Sequence, residues 1–187
     1  EISGSQSHPS LVPDTKNDLV YLSLQPGNSS IVKMNFKTDA KTVIHRSQDT
    51  NIQTPIALKN GFVAWIEKDG LANTSAIHFK NSHTAEAQRV PIQEGKLSDL
   101  SWFEPEKKQM LLLQKSANTN LWTVLAYDHT NACTIKLFES KTAIFNPRAN
   151  LKTKKLLISS IVDQKKQLFL VSLPATQNEC QALKVDK

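Results

Sequence analysis

The chain has 187 residues, a formal net charge of +6, 39% hydrophobic residues and 5 glycines. That length suffices for a buried core in one domain or at most two. No run of 18 apolar residues occurs, which excludes a membrane-spanning helix. Because glycine is scarce, the turns fall to Asn, Asp, Ser, Thr and Lys. The chain starts at Glu1 with neither a basic n-region nor an apolar h-region, and the expectation is a piece excised from something longer.

Residues 1–8 are polar and read as a frayed end. A Pro-bounded strand then leads into a turn over Asp14 to Asn17, followed by strands at 19–24, 29–36 and 41–46. Each run is strand length, rich in β-branched or aromatic residues, and bounded by turn formers. A second group follows with Thr54–Leu58 and runs at 62–68, 75–81 and 88–92. Asn60-Gly61 between two apolar runs is a strong hairpin signal. The third group has runs at 99–105, 109–116, 121–128 and 134–140, and the fourth at 143–150, 154–162, 167–174 and 181–185. Runs such as Met110–Leu113 are nearly all apolar, as expected of strands buried on both faces. No segment sustains a 3.6-residue apolar period, so no long helix is expected.

The groups repeat. Val32, Ile77, Trp122 and Phe169 are spaced 45, 45 and 47 residues apart, and Met34, Phe79, Val124 and Val171 keep the same spacing. A period of about 45 residues with several short strands per unit marks a β-propeller or related array. β-Sandwiches are the competing fold, but they do not generally hold strands at a fixed register. The reading is therefore all-β: a single domain of four four-stranded repeats at about 8–50, 51–96, 97–141 and 142–187, standing alone or as part of a larger propeller.

Charge is uneven along these repeats. Residues 1–140 carry 14 basic and 14 acidic side chains, whereas residues 141–187 carry 9 and 3. Lys152, Lys154, Lys155, Lys165 and Lys166 make up most of the excess. They read either as hairpin tips and edge gatekeepers or as a local patch for an anionic partner. Nucleic acid fits poorly, because interleaved exposed aromatics are lacking. Cys133 and Cys180, each ahead of the last strand of its repeat, are too few for a zinc site. They form either a disulfide, which implies an oxidising compartment, or two free thiols or partners of cysteines elsewhere. Equivalent places on adjacent sheets can lie beyond the Cα separation that a bridge allows.

Chemistry is sparse. The sequence lacks a G-x-S-x-G elbow, H-E-x-x-H, a phosphate-binding glycine loop and C-x-x-C. Ser101 has no flanking glycines. His8, His45, His78, His83 and His129 show no metal-ligand spacing, and His78 is expected to face solvent or a neighbouring sheet. Asp128 and His129 are adjacent, and adjacent strand residues point to opposite faces. Glu104 and Glu106 flank a turn proline and read as a solvated corner rather than an acid/base or Ca²⁺ pair. Trp65, Trp102 and Trp122 read as packing between sheets. Asn28 and Asn73 head glycosylation-type triplets of a kind that a Ser/Thr-rich chain produces by chance. No cofactor or metal site is expected.

The run Pro9-Ser10-Leu11-Val12-Pro13-Asp14-Thr15-Lys16, with Leu19-Val20-Tyr21 after it, resembles the PSWSPDGK...LAY signature of TolB-like propeller repeats, which are similar to WD repeats. Asn146-Pro147-Arg148 carries a weaker version, and Trp102 with Pro105, and Pro55 with Asn60-Gly61, carry traces. Thr15 stands where the signature has Gly. The resemblance implies one of three settings: the TolB protein of the bacterial envelope, the propeller of a prolyl-oligopeptidase-like peptidase, or the periplasmic part of a CadC-like membrane-anchored transcriptional regulator. The function expected from it is a non-enzymatic periplasmic binding or sensor module for a protein or small-molecule ligand, with no nucleic acid contacted and no membrane insertion by this segment. The alternatives are a substrate-gating lid on a hydrolase and a structural envelope scaffold.

Overall fold

Alternation of apolar side chains decides which face of each strand turns inward, and turn chemistry decides where each strand stops. The computed structural model describes residues 5–48, 51–69, 74–81, 86–91, 95–104, 107–173 and 180–182. Sheet one is an antiparallel meander of β1 (Ser5–Leu11), β2 (Asp18–Gln25), β3 (Asn28–Asn35) and β4 (Ala40–Ser47). Sheet two repeats it with β5 (Asn51–Ala57), β6 (Phe62–Asp69), β7 (Thr74–Asn81) and β8 (Gln88–Pro91). Sheet three is β9 (Lys96–Glu104), β10 (Gln109–Lys115), β11 (Trp122–Asp128) and β12 (Cys133–Ser140). Sheet four is β13 (Ile144–Asn150), β14 (Lys155–Val162) and β15 (Lys165–Ser172). The all-β, four-sheet array read from the sequence is present, and the residues of the 45-residue register, Val32, Ile77, Trp122 and Phe169, lie on the third strands β3, β7, β11 and β15.

One strand sits elsewhere than expected. β16 (Gln181–Ala182), read as the close of the fourth repeat, pairs antiparallel with β12, so that Cys133 lies opposite Ala182. Residues 183–185 of that predicted run are outside the described residues.

The chain divides after Pro91 into two compact units, with two repeats in each. In the first, Val20 and Leu22 of β2, Ile31 of β3 and Ile44 of β4 meet Ile52 and Ala57 of β5 and Val63 and Trp65 of β6. In the second, Leu111, Leu113 and Val124 of sheet three meet Ile144, Leu156 and Ile158 of sheet four. The recurring i, i+2 pairs are what a strand with one face on a core requires. Met110–Leu113 is buried on both faces, as its unbroken apolar run implies.

The first strands share a local device. His8, Thr54 and Asn146 have φ of 55°, 43° and 48°, each precedes a proline, and each falls where β1, β5 or β13 shifts register against its neighbour. In sheet three β9 shifts register between Leu97 and Asp99 without a proline, and the Asp99 carboxylate accepts the Leu100 N–H at 2.9 Å. First strands of neighbouring sheets are also tied by serines. Ser10 Oγ accepts from Ala57 N at 3.1 Å in the first unit, and Ser101 Oγ donates to Pro147 O at 2.8 Å in the second.

Candidate functional site

Two places gather side chains able to act on a partner. The first lies in unit one between its two sheets. Trp65 and Glu67 are i, i+2 on β6 and so share a face, and Trp65 pairs in register with His78 of β7. His45 pairs with Ile31 of the core on β4 and faces the same seam. Glu67 accepts from both imidazoles, Oε1 from His45 Nε2 and Oε2 from His78 Nε2, each at 3.0 Å. Both rings stack on the fully buried Trp65, with centroids 4.7 Å and 5.6 Å away. Burial pushes the Glu67 carboxyl up, but the hydrogen bonds and charge of His45 and His78 outweigh it and hold the group well below the usual carboxylate range. The Trp65 indole N–H is buried and has no hydrogen-bond partner among the described residues.

This cluster was not read from the sequence. The signal lay in the register: Glu67 follows Trp65 by two residues, and His78 lies across from Trp65, but His45 comes from another sheet and no spacing announces it. His78 does face a neighbouring sheet, one of the two places expected. Among the described residues no group of three or more His, Cys, Asp and Glu is arranged to hold a metal ion.

The second place is sheet four. Register pairs Leu157 with Leu170, Ser159 with Leu168 and Ile161 with Lys166 on one face, while Leu156, Ile158 and Val171 take the other face against sheet three. The first face is open at its apolar side chains, with Leu168 70%, Leu170 64% and Ile161 52% exposed, whereas Ser159 is buried and donates to Phe145 O. Single exposed leucines are ordinary, but a contiguous apolar group marks an interaction surface.

The five lysines do not form one patch. Lys152 and Lys154 occupy the β13–β14 turn and Lys155 opens β14, with its Nζ donating to Ser172 Oγ at 2.9 Å. Lys165 and Lys166 open β15 at the other end of the hairpin, where Val162 pairs with Lys165. The length of β14, about 23 Å at ~3.3 Å per residue, separates the two groups. An antiparallel hairpin puts its two turns at opposite ends, so closeness in sequence misleads here.

Cys133 and Cys180 are joined in a disulfide with a Cα separation of 5.5 Å. The distance that adjacent sheets would impose is removed because β16 pairs with β12, which places both cysteines at one sheet edge.

The remaining sequence candidates are committed to structure. Ser101 is buried and bonded to the Pro147 carbonyl. Asp128 holds a turn: its carboxylate accepts from Thr130 N, Asn131 N, Asn131 Nδ2 and Gln109 Nε2 at 2.8–3.1 Å. Burial raises that carboxyl, and these bonds reverse the shift downward. Burial, then the charge of Lys108, lowers the neighbouring His129, while burial and then Asp128 push the Tyr127 phenol up to about 12. Glu104 pairs with Lys107 at 2.8 Å. Trp65 and Trp122 pack between sheets as expected, but Trp102 is 36% exposed. Asn28 opens β3. Asn73, His83, Pro105 and Glu106 lie outside the described residues.

No family model and no curated protein matches the sequence. Solved structures do match in shape. The chain is similar to TolB from Acinetobacter baumannii, with a TM-score of 0.59 and 16% identity over 96% of this chain and 45% of that one. It is similar to the β-propeller domain of the Trilobed protease from Pyrococcus furiosus, which has an open velcro topology, with a TM-score of 0.58 and 16% identity over 90% of this chain and 58% of that one. A prolyl endopeptidase gives a TM-score of 0.62 at 15% identity, over 95% of this chain and 28% of that one. The fold is of the β-propeller type. The chain spans about half the length of the TolB chain it matches, and at these identities the likeness is one of fold.

Proposed function

We propose that this chain is a non-enzymatic protein-recognition module acting in an oxidising compartment, the bacterial periplasm, as the sensory region of a membrane-anchored transcriptional regulator. The observation that carries the recognition reading is the exposed apolar face of Leu157, Ile161, Leu168 and Leu170 on the β14–β15 hairpin. The Cys133–Cys180 disulfide supports the compartment. Internal commitment of Ser101, Asp128 and the His45–Glu67–His78 group supports a role without turnover. As a sensor, it shifts a conformational equilibrium by no more than the partner's difference in affinity for the two states.

Selection of peptides on the immobilised, unreduced chain tests this reading. Apolar extended peptides are expected to bind and to lose at least about tenfold in affinity, ~1.4 kcal/mol, with Leu168→Lys. Hydrolysis of generic ester or peptide substrates by the purified chain, persisting in Ser101→Ala and after contaminants are removed, would sink it. A second reading, a substrate-gating lid beside a hydrolase domain, is supported by the likeness to the propeller of the Trilobed protease. A downstream hydrolase pattern in the parent sequence favours the lid, and an upstream DNA-binding helix-turn-helix with one hydrophobic span favours the sensor.

A further inference from the structure

Asn60-Gly61 is the sole Asn-Gly pair in the sequence, and Asn60 is exposed on the short connection from β5 to β6. Glycine has no side chain to shield its own nitrogen, so this pair is the one most open to attack of the backbone on a side-chain amide. The Asn60 carboxamide takes no hydrogen bond among the described residues, whereas its backbone is held on both sides. The N–H donates to the Asp14 carboxylate on the β1–β2 turn, and the carbonyl accepts from Asn81 Nδ2 at 3.4 Å.

These bonds fix a conformation that matters for the chemistry. Asn60 has φ 62° and ψ 34°, in the left-handed region that Asn tolerates better than most residues. At that ψ the Gly61 nitrogen lies nearly anti to Cβ across the Cα–C bond, whereas closing a five-membered ring onto Cγ needs the two eclipsed. The folded turn therefore keeps the reacting atoms apart.

We propose that Asn60 is a site of spontaneous deamidation and that Asp14 sets its rate. When the turn opens, the deprotonated Gly61 nitrogen attacks Asn60 Cγ. The new N–C bond forms, the Cγ–Nδ2 bond breaks, and ammonia leaves with the proton that Gly61 gave up. Water then adds to either carbonyl of the succinimide and gives an aspartyl or an isoaspartyl residue. Either product sets a new carboxylate near that of Asp14, and the isoaspartyl form also lengthens the backbone of the turn by a methylene. Repulsion between the like charges then releases the tie between the two turns, which links sheet one to sheet two in the first unit. The change is irreversible, so it records how long the turn has spent open.

Peptide mapping by mass spectrometry of the full, unreduced chain, held folded or in guanidinium at the same mildly alkaline pH, tests the proposal. It reads the exchange of NH2 for OH at Asn60 and the split into two isomeric peptides. Folded wild type is expected to deamidate at least about tenfold more slowly than the unfolded chain, the factor that ~1.4 kcal/mol of turn opening gives. Asp14→Ala is expected to abolish most of that protection in the folded chain, and Asp14→Asn, which keeps an acceptor without the charge, part of it; an unchanged circular dichroism spectrum checks folding. Equal rates in folded and unfolded wild type overturn the gate, as does a folded Asp14→Ala chain that stays as slow as wild type. An Asn60 that stays intact in guanidinium overturns the site itself. Asn60→Asp gives a second readout that needs no deamidation: its unfolding midpoint is expected to fall, and to recover in combination with Asp14→Asn. A midpoint that Asn60→Asp leaves unmoved overturns the release of the tie.

Discussion

Glu67 holds two histidines from two different sheets, and the arrangement depends on its charge. The folded carboxyl lies below the ordinary value of 4.5, so its contribution is complete above about pH 4.5 and is lost as pH falls through the folded value. Glu67→Gln is expected to lower stability at pH 7 by about 1.5–3 kcal/mol, the range for a hydrogen bond to a charged group. The difference between variant and wild type is expected to narrow steadily below about pH 4.5. Urea unfolding at a series of pH values reads both, and a gap that widens in acid contradicts the assignment. Ser101 differs, because its hydroxyl holds a buried carbonyl. Ser101→Ala is expected to cost about 1 kcal/mol, since Pro147 O loses one of two donors and keeps Arg148 Nη1 at 2.7 Å; an unchanged midpoint would show that Arg148 alone satisfies the carbonyl.

Among the elements, the disulfide and the first-strand bulges govern placement. The bridge encloses 48 residues from Cys133 to Cys180, and with it β12, β13, β14 and β15. The chain-entropy model gives about 4 kcal/mol of stabilisation for a loop of that length. Reduction, or Cys180→Ser, is expected to lower the melting temperature by several degrees, and thiol titration of the denatured, never-reduced chain is expected to find none. Two thiols per chain in that titration would remove both the bridge and its argument for an oxidising compartment. Strand positions were legible because apolar alternation and turn residues are local. Asn60-Gly61 illustrates this: both residues have positive φ, 62° and 73°, and with a 3-10 turn over Lys59–Gly61 they close the short connection from β5 to β6. The partner of β16 was not legible, because strand pairing is a long-range choice that two residues of sequence cannot specify.

For the molecule as a whole, the division after Pro91 sets where a perturbation is felt. Both cysteines lie in the second unit, so reduction is expected to lower hydrogen-exchange protection in β10 and β14 and to leave β2 and β6 within error. Equal loss in all four strands would show that the two units open together. The fold was readable from periodicity because the repeat recurs four times and each copy corroborates the others. The candidate surfaces were far less so. The open apolar face of sheet four depends on which side chains share a face across β14 and β15, which apolar content alone does not give, and the five lysines, near one another in sequence, are divided by the geometry of one hairpin.

The register shifts at His8, Thr54 and Asn146 bear on how such a chain avoids precipitating. A first strand with an unpaired edge is a template for any stray extended segment, and a ladder grown on it needs an unbroken series of donors. Pro9, Pro55 and Pro147 have no N–H to offer, and Leu100 has given its own to Asp99. Three of the four sheets therefore carry a break at the same point of the first strand, each made by an imino acid. Sheet three interrupts its ladder elsewhere, between Leu97 and Asp99 and again between Trp102 and Glu104, with no proline at either place. The repeats can differ in the means of interruption, provided each first strand keeps one.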